Sequence, residues 1–146
     1  MVREALCVWP AAGAEKTREH VLLVTHPKAS ELKNLDVLLE KELLRVPGLK
    51  IIGLVYKDEY EHYRDARRYI ESRQDGRMEL MSINCVIRPD QIFSKNACTE
   101  TFSQLVARSD GILFTGGPDI PPSLYGEKTR LSTAVQDPPR HRFELS

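Results

Sequence analysis

The alternation of short apolar runs with segments of helical periodicity is the feature that most constrains the fold of this chain. Residues 20–26 (HVLLVTH), 49–56 (LKIIGLVY) and 111–115 (GILFT) are short apolar runs typical of strands buried on both faces. Residues 78–87 can hold a further strand, although Pro89 leaves its limits uncertain. Such alternation predicts right-handed crossovers into a mostly parallel sheet with helices on both sides, a three-layer α/β domain.

Three segments between these runs are predicted to be amphipathic helices. The first follows Ser30, a candidate N-cap, and ends before Pro47-Gly48. Its apolar positions recur at helical spacing: Leu32, Leu35, Leu38, Leu39 and Leu43. The second spans the region from Tyr60 to Ile70 and is closed by Gly76, and the third covers residues 99–108.

The charge balance and the apolar run lengths exclude several classes of partner. The 146 residues contain 21 Lys plus Arg and 21 Asp plus Glu, so no overall field attracts nucleic acid or an anionic membrane. No apolar run approaches the roughly 20 residues needed to cross a bilayer. We therefore expect a soluble protein with no nucleic-acid or membrane partner, organised as an N-terminal extension (residues 1–19) and one domain (residues 20–146).

The three cysteines, Cys7, Cys85 and Cys98, are widely spaced and include no C-x-x-C pair. Their odd number and spacing argue against a disulfide framework and a zinc site, and favour a cytoplasmic location without a metal or cofactor. The opening MVREALCVWPAAGA faintly resembles a secretory signal, but Glu4 and Pro10 interrupt its apolar segment.

Cys98 is the cysteine whose placement invites a catalytic hypothesis. It lies at the predicted start of the third helix, where the helix dipole would favour a thiolate. No histidine is near it in sequence, and a packed thiol is the alternative interpretation. Cys85, in an apolar run, is predicted to lie in the core.

The loop GGPDIPP follows the last predicted strand, at the sheet edge where ligands bind in open parallel sheets. Gly116 and Gly117 would let the backbone approach a ligand and aim N–H groups at a developing negative charge, as in an oxyanion hole. A tight turn that merely needs two glycines is the alternative. The loop matches neither G-x-G-x-x-G nor G-x-x-x-x-G-K-[ST], which disfavours dinucleotides and triphosphates.

Residues near this loop have both a binding and a structural interpretation. Asp119 would bind a substrate amine or build a turn, and Tyr125 would stack on a ligand or close the loop over the core. The cluster 140–142 (RHR) would form an anion site or a solvated helix face.

Two separated motifs carry a family resemblance. SDGILFTGGPDIPPSLYGE (residues 109–127) and DPPRHRFEL (residues 137–145) resemble the class I glutamine amidotransferase-like superfamily, within it the gamma-glutamyl-gamma-aminobutyrate hydrolase and gamma-glutamyl hydrolase type. The resemblance implies a flavodoxin-like fold and a cysteine hydrolase acting on a small gamma-glutamyl substrate. It also implies that Gly116 and Gly117 supply the oxyanion donors, while a cysteine on a G-x-C-x-G elbow and a later His and Glu form the triad.

The chain departs from this family pattern at the nucleophile. No G-x-C-x-G occurs in the sequence, so residues 20–146 are predicted to be the amino-terminal part of such a domain, ending before the elbow. We expect no hydrolysis by this chain alone, and expect it to pair with a chain that carries the carboxy-terminal half or with a second copy. The alternative is a non-catalytic α/β module that binds a small molecule or a partner.

Overall fold

The computed structural model describes residues 19–56, 63–116, 122 and 126–128. Strands and helices alternate along this part of the chain. In order they are β1 (His20–Thr25), α1 (Ala29–Glu40), β2 (Leu49–Tyr56), α2 (Arg64–Arg73), β3 (Met78–Ile83), α3 (Thr99–Ala107) and β4 (Gly111–Phe114). A short 3-10 turn, Pro89–Gln91, lies between β3 and α3.

The strands form one sheet of order β3-β2-β1-β4, and every neighbouring pair is parallel. The register aligns Leu23 of β1 with Ile52 of β2 and with Ile112 of β4. Alternate side chains of β1 and β2 point to opposite faces, as strand geometry requires. The predicted α/β architecture with a parallel sheet is confirmed.

Helices cover both faces of the sheet. On one face, Leu23, Ile52 and Ile83 form a buried cluster with Cys98 and Leu105 at the start and end of α3. On the other face, a second cluster joins β1 and β2 to residues of α1 and α2, among them Val24, Ile51, Leu32, Leu35 and Ala66. The core is therefore divided by the sheet into two layers, which makes the domain three-layered.

The first helix differs from its prediction at both ends. Its N-cap residue is Lys28, two positions before the predicted Ser30, and the helix starts at Ala29. The Glu31 side chain accepts a hydrogen bond from the Lys28 N–H at 3.0 Å, which fixes this start. The helix ends at Glu40 rather than near Pro47, since Glu42 adopts a left-handed backbone with φ of 54°. Leu43, predicted on the apolar face, is therefore outside the helix and exposed.

The third strand is shorter than the predicted run of residues 78–87. Pairing with β2 ends at Ile83, and the chain then leaves the sheet. Ile87 remains buried, and its N–H donates to the Tyr56 hydroxyl at 3.2 Å. The Tyr56 side chain, at the end of β2, thus holds the segment around Ile87 in place after the backbone pairing between β2 and β3 has ended.

The last described strand, β4, is at one edge of the sheet and pairs with β1 alone among the described strands. Its Leu113 packs against the α1 and α2 layer, whereas Ile112 and Phe114 point to the other face and are exposed, Phe114 to 57%. No helix within the described ranges is long and apolar enough to cross a membrane. The predicted N-terminal extension lies outside the described residues apart from Glu19.

Candidate functional site

The strand order defines where a site is expected. The chain winds from β1 through β2 to β3 in one direction, and β4 then adds on the other side of β1. In open α/β sheets, ligands bind in the crevice outside the carboxyl ends of the strands where the winding reverses. This crevice lies between the ends of β1 and β4, where Thr25 is in register with Phe114.

The loop after β4 is attached to the end of β1 through Thr115. This side chain is 7% exposed, and its hydroxyl Oγ1 lies 3.0 Å from the carbonyl oxygens of both Thr25 and His26. Gly116 follows directly and is exposed, and a Cβ built on it would meet no atom of the described residues within 4 Å. Gly116 is therefore exposed directly after the carboxyl end of β4, and its role as an oxyanion donor stays a prediction.

A cation is adjacent to the same loop. Lys28, the N-cap residue of α1, places its Nζ 3.5 Å from the Gly116 carbonyl oxygen. The side chain is exposed, so this contact is a weak one. The crevice thus combines the amino terminus of α1, a lysine and an exposed glycine, a combination that favours an anionic or polarised group.

His26, which directly follows the carboxyl end of β1, is a buried residue that sequence reasoning did not single out. It is 6% exposed, its backbone is left-handed with φ of 45°, and its Nδ1 is hydrogen-bonded to the Tyr63 hydroxyl at 2.9 Å. The two rings also meet edge to face, with centroids 5.3 Å apart. A left-handed backbone is uncommon for a residue other than glycine and clusters at functional sites. The available signal was a histidine directly after a buried strand.

The other predicted site residues fall largely outside the described part of the chain. Gly117, Asp119 and Tyr125, together with the cluster 140–142, lie outside the described residues, so their roles stay predictions. The end of the P-x-x-Y-G-E stretch is described: the Glu127 N–H donates to the Pro122 carbonyl at 2.9 Å, and Gly126 has φ of 81°. A positive φ is a structural reason for glycine at position 126.

Asp110, the first residue of the D-G pair in the motif, has a structural role at the amino ends of β1 and β4. Its carboxylate accepts the Val21 N–H at 2.9 Å, and its own N–H donates to the Val21 carbonyl at 2.8 Å. His20 Nδ1 lies 3.5 Å from the same carboxylate. This residue therefore fixes the start of β4 against β1 and does not belong to the crevice.

The cysteine predictions are corrected by a disulfide. Cys85 and Cys98 are bonded to each other, with Cα atoms 5.6 Å apart. The inference that spacing argues against a disulfide was wrong, because the fold brings the segment after β3 to the start of α3 although 13 positions separate the two residues. Cys98 does start α3 as predicted, but it is fully buried and bonded, which excludes it as a thiolate nucleophile in this state. The argument for a cytoplasm from unpaired cysteines is removed, and that location stays a prediction.

Two other features of the described residues bear on the chemistry of the site. A hollow of about 510 Å³ lies near the amino end of β2, lined by residues such as Leu39, Pro47 and Arg77, and its described lining includes no Ser, Thr, Cys or His side chain. Within the described ranges, no group of three or more His, Cys, Asp or Glu residues is placed to hold a metal ion. The crevice between β1 and β4 therefore remains the candidate site.

Comparison with known proteins places the chain in a family. A model of the Peptidase C26 family matches residues 53–146, a segment that includes β4 and the glycine loop. The chain belongs to the Peptidase C26 family. The end of β1, with Thr25 and His26, precedes the matched segment. No solved structure matches the chain.

Two curated relatives support this placement. The putative glutamine amidotransferase-like protein YvdE of Lactococcus lactis subsp. lactis (strain IL1403) is 42% identical over 48 residues, which is 33% of this chain and 20% of the relative. Its homolog from Lactococcus lactis subsp. cremoris has the same identity over the same length and is covered to 26%. The C26 chain is therefore a member of the class I glutamine amidotransferase-like superfamily, and its matched segment spans 20% and 26% of the lengths of these two relatives.

Proposed function

We propose that this C26 chain forms the oxyanion-hole part of a gamma-glutamyl amide hydrolase. The observation that carries the proposal is the position of Gly116, exposed at the crevice between β1 and β4 and held there through the buried Thr115. Backbone N–H groups at such a place stabilise the oxyanion that forms when a nucleophile attacks an amide carbon. Family membership supports an amidotransferase- or hydrolase-type activity.

In the proposed mechanism, the substrate amide enters the crevice with its carbonyl oxygen directed at the N–H groups of Gly116 and Gly117. Asp119 holds the glutamyl amine, Tyr125 covers the substrate, and the Lys28 ammonium attracts its carboxylate. A thiolate then attacks the carbonyl carbon, and the amine leaves after protonation by an imidazole, which gives a thioester that water hydrolyses. The cysteine, histidine and glutamate of such a triad match no motif of these 146 residues, so the chain is expected to bind without hydrolysing.

Binding of a gamma-linked amide tests this proposal directly. L-Glutamine is titrated into the folded chain and followed by amide chemical shifts, with the alpha-amide isomer isoglutamine as the control ligand. Gly116→Pro removes the N–H, whereas Gly116→Ala keeps it and meets no described atom within 4 Å. We expect Gly116→Pro to weaken glutamine binding about fivefold and Gly116→Ala to retain most of it. A folded chain that binds neither amide, or binds both alike, contradicts the proposal.

We propose that the outer edge of β4 pairs with the segment that carries the nucleophile. The strand has backbone groups without a described neighbour on that side, and Ile112 and Phe114 leave apolar surface exposed beside it. Unpaired edges with apolar side chains favour association. The relatives extend well beyond the matched segment, which supports a larger assembly.

The intact mass of the protein from its native host distinguishes the possible arrangements. A mass well above 16.7 kDa, with a G-x-C-x-G sequence in the added part, would place the nucleophile in the same polypeptide. A 16.7 kDa chain that co-purifies in fixed stoichiometry with a G-x-C-x-G protein would place it on a partner. A 16.7 kDa protein that is monomeric, or pairs with itself alone, refutes the proposed pairing and favours a non-catalytic binding module.

A further inference from the structure

Thr115 occupies the one position between the last residue of β4 and the exposed Gly116. It is buried, and its hydroxyl has a single proton to share between the two carbonyl oxygens of Thr25 and His26, each 3.0 Å away. These carbonyls belong to consecutive residues at the end of β1. The hydroxyl thus joins the first residue of the glycine loop to the neighbouring strand at two points.

The backbone of His26 explains why both carbonyls are within reach of one hydroxyl. Consecutive carbonyls of an extended strand point in opposite directions, whereas the left-handed φ of 45° at His26 turns the second towards the same side as the first. Such a backbone is strained for a residue other than glycine. The hydrogen bond and the edge-to-face contact with the buried Tyr63 offset this strain.

A consequence follows for the peptide between Thr115 and Gly116. Glycine has the widest choice of backbone angles, so a donor at Gly116 is poorly oriented unless the preceding residue is fixed. An oxyanion donor must be oriented before the reaction, since reorganisation in the transition state would cancel its benefit. The hydroxyl of Thr115 fixes the Cα atom from which this peptide extends.

We propose that Thr115 is a positioning residue for the oxyanion donor at Gly116, acting through the hydrogen bonds of its hydroxyl to the Thr25 and His26 carbonyls. The inference rests on the proposed function, in which Gly116 is the donor. Tyr63 contributes indirectly, because its hydroxyl is hydrogen-bonded to the ring of His26, the residue that presents the second carbonyl.

The test uses the isotope-labelled full chain and three variants. Thr115→Val removes the hydroxyl at nearly constant volume, and Thr115→Ser keeps it. Thr99→Val is the matched control, since the Thr99 hydroxyl also bonds to backbone, accepting the Asn96 N–H at 2.9 Å at the remote start of α3. The measurements are the amide order parameter of Gly116, the affinity for L-glutamine and the stability in urea.

In Thr115→Val, we expect the order parameter of Gly116 to fall from about 0.85 towards 0.6 or below, and glutamine affinity to fall about three- to tenfold. Thr115→Ser restores both values. Thr99→Val lowers stability alone, which separates positioning from a general loss of stability. An ordered Gly116 in Thr115→Val, or equal loosening of Gly116 in Thr99→Val, overturns the inference.

The wild-type chain supplies a second test if Thr115→Val does not fold. If the Thr115 hydroxyl proton is held between the two buried carbonyls, it exchanges slowly with solvent and gives a nuclear Overhauser contact to His26. A rapidly exchanging Thr115 hydroxyl proton refutes the proposed hydrogen bonds. The two proposals are also separable. If Gly116 loses order in Thr115→Val while the wild type binds no glutamine, Thr115 does position Gly116 but the proposed function fails.

Discussion

Gly53, near the middle of β2, is predicted to tolerate no side chain at all. A Cβ built on it would lie 2.7 Å from Leu80 Cδ2 and 2.8 Å from Pro27 Cγ, closer than non-bonded carbons approach. The Leu80 methyl belongs to a flexible side chain and can rotate away. Pro27 is a rigid, fully buried ring that directly follows His26, so Gly53→Ala forces either the ring or β2 to shift.

The expected cost is that of overpacking a well-packed core, about 1–3 kcal/mol in free energy of unfolding. Gly111→Ala is the matched control, because Gly111 is also a strand glycine but, among the described residues, its Cβ would meet only Leu22 Cδ1, at an ordinary 3.5 Å. At an unstrained site, Gly→Ala lowers the entropy of the unfolded chain and stabilises by about 0.4–1 kcal/mol.

The two variants should therefore differ by about 1.5–4 kcal/mol in opposite directions from the wild type. Urea unfolding followed by circular dichroism measures both, with the slope of the transition checked to be unchanged. If Gly53→Ala is as stable as Gly111→Ala, the packing of Pro27 against β2 is not the constraint described here.

Three further predictions concern side-chain networks. Asp36 is buried, accepts a hydrogen bond from the Tyr69 hydroxyl and forms an ion pair with Arg73, whose Nε lies 3.2 Å from its carboxylate. Asp36→Asn is therefore expected to lower the free energy of unfolding by about 1–3 kcal/mol, and equal urea midpoints would contradict this. Burial, and next the hydrogen bond to Asp36, raises the pKa of Tyr69 from 10.0 to about 12. As the pH rises, the unfolded chain therefore loses the Tyr69 proton before the folded chain does. The stabilisation that the protonated Tyr69 provides is complete below pH 10 and is lost between pH 10 and 12. The difference in free energy of unfolding between wild type and Tyr69→Phe should therefore shrink when it is measured across that range. Reduction of the Cys85–Cys98 disulfide, which closes a loop of sequence separation 13, should cost about 2–3 kcal/mol of stability in urea, whereas a Cys85→Ser/Cys98→Ser double variant should not respond to reductant.

The alternation of strands and helices was predictable from local periodicity because each element buries a face or a stripe that its own residues specify. Gly116 at the carboxyl edge was predictable for the same reason, since it directly follows a strand-like run. The end of α1 was not, because the left-handed turn at Glu42 stops the helix although the leucine spacing continues to Leu43. Periodicity reports which residues prefer a buried face, not where the backbone turns.

The contacts that sequence reasoning missed depend on residues distant in sequence. Cys85 and Cys98 meet only because the fold brings the segment after β3 close in space to the start of α3. Three cysteines that are widely spaced in the sequence carry no local sign of that pairing. Thr115 is about 90 positions from the carbonyls that it binds. A threonine after an apolar run is an ordinary strand residue, so its role as an anchor required the order of the strands.

Both ends of β4 are attached to β1 by side-chain hydrogen bonds. A strand of only four residues at a sheet edge would be expected to fray. Here Asp110 ties its start to Val21, and Thr115 ties its end to Thr25 and His26, so both attachments lie on β1. The position of Gly116 directly after β4 is therefore fixed from β1. Under the proposed function, a partner segment would supply the thiolate, whereas β1 alone would hold the oxyanion donor, so the chain would recognise an amide without cleaving it.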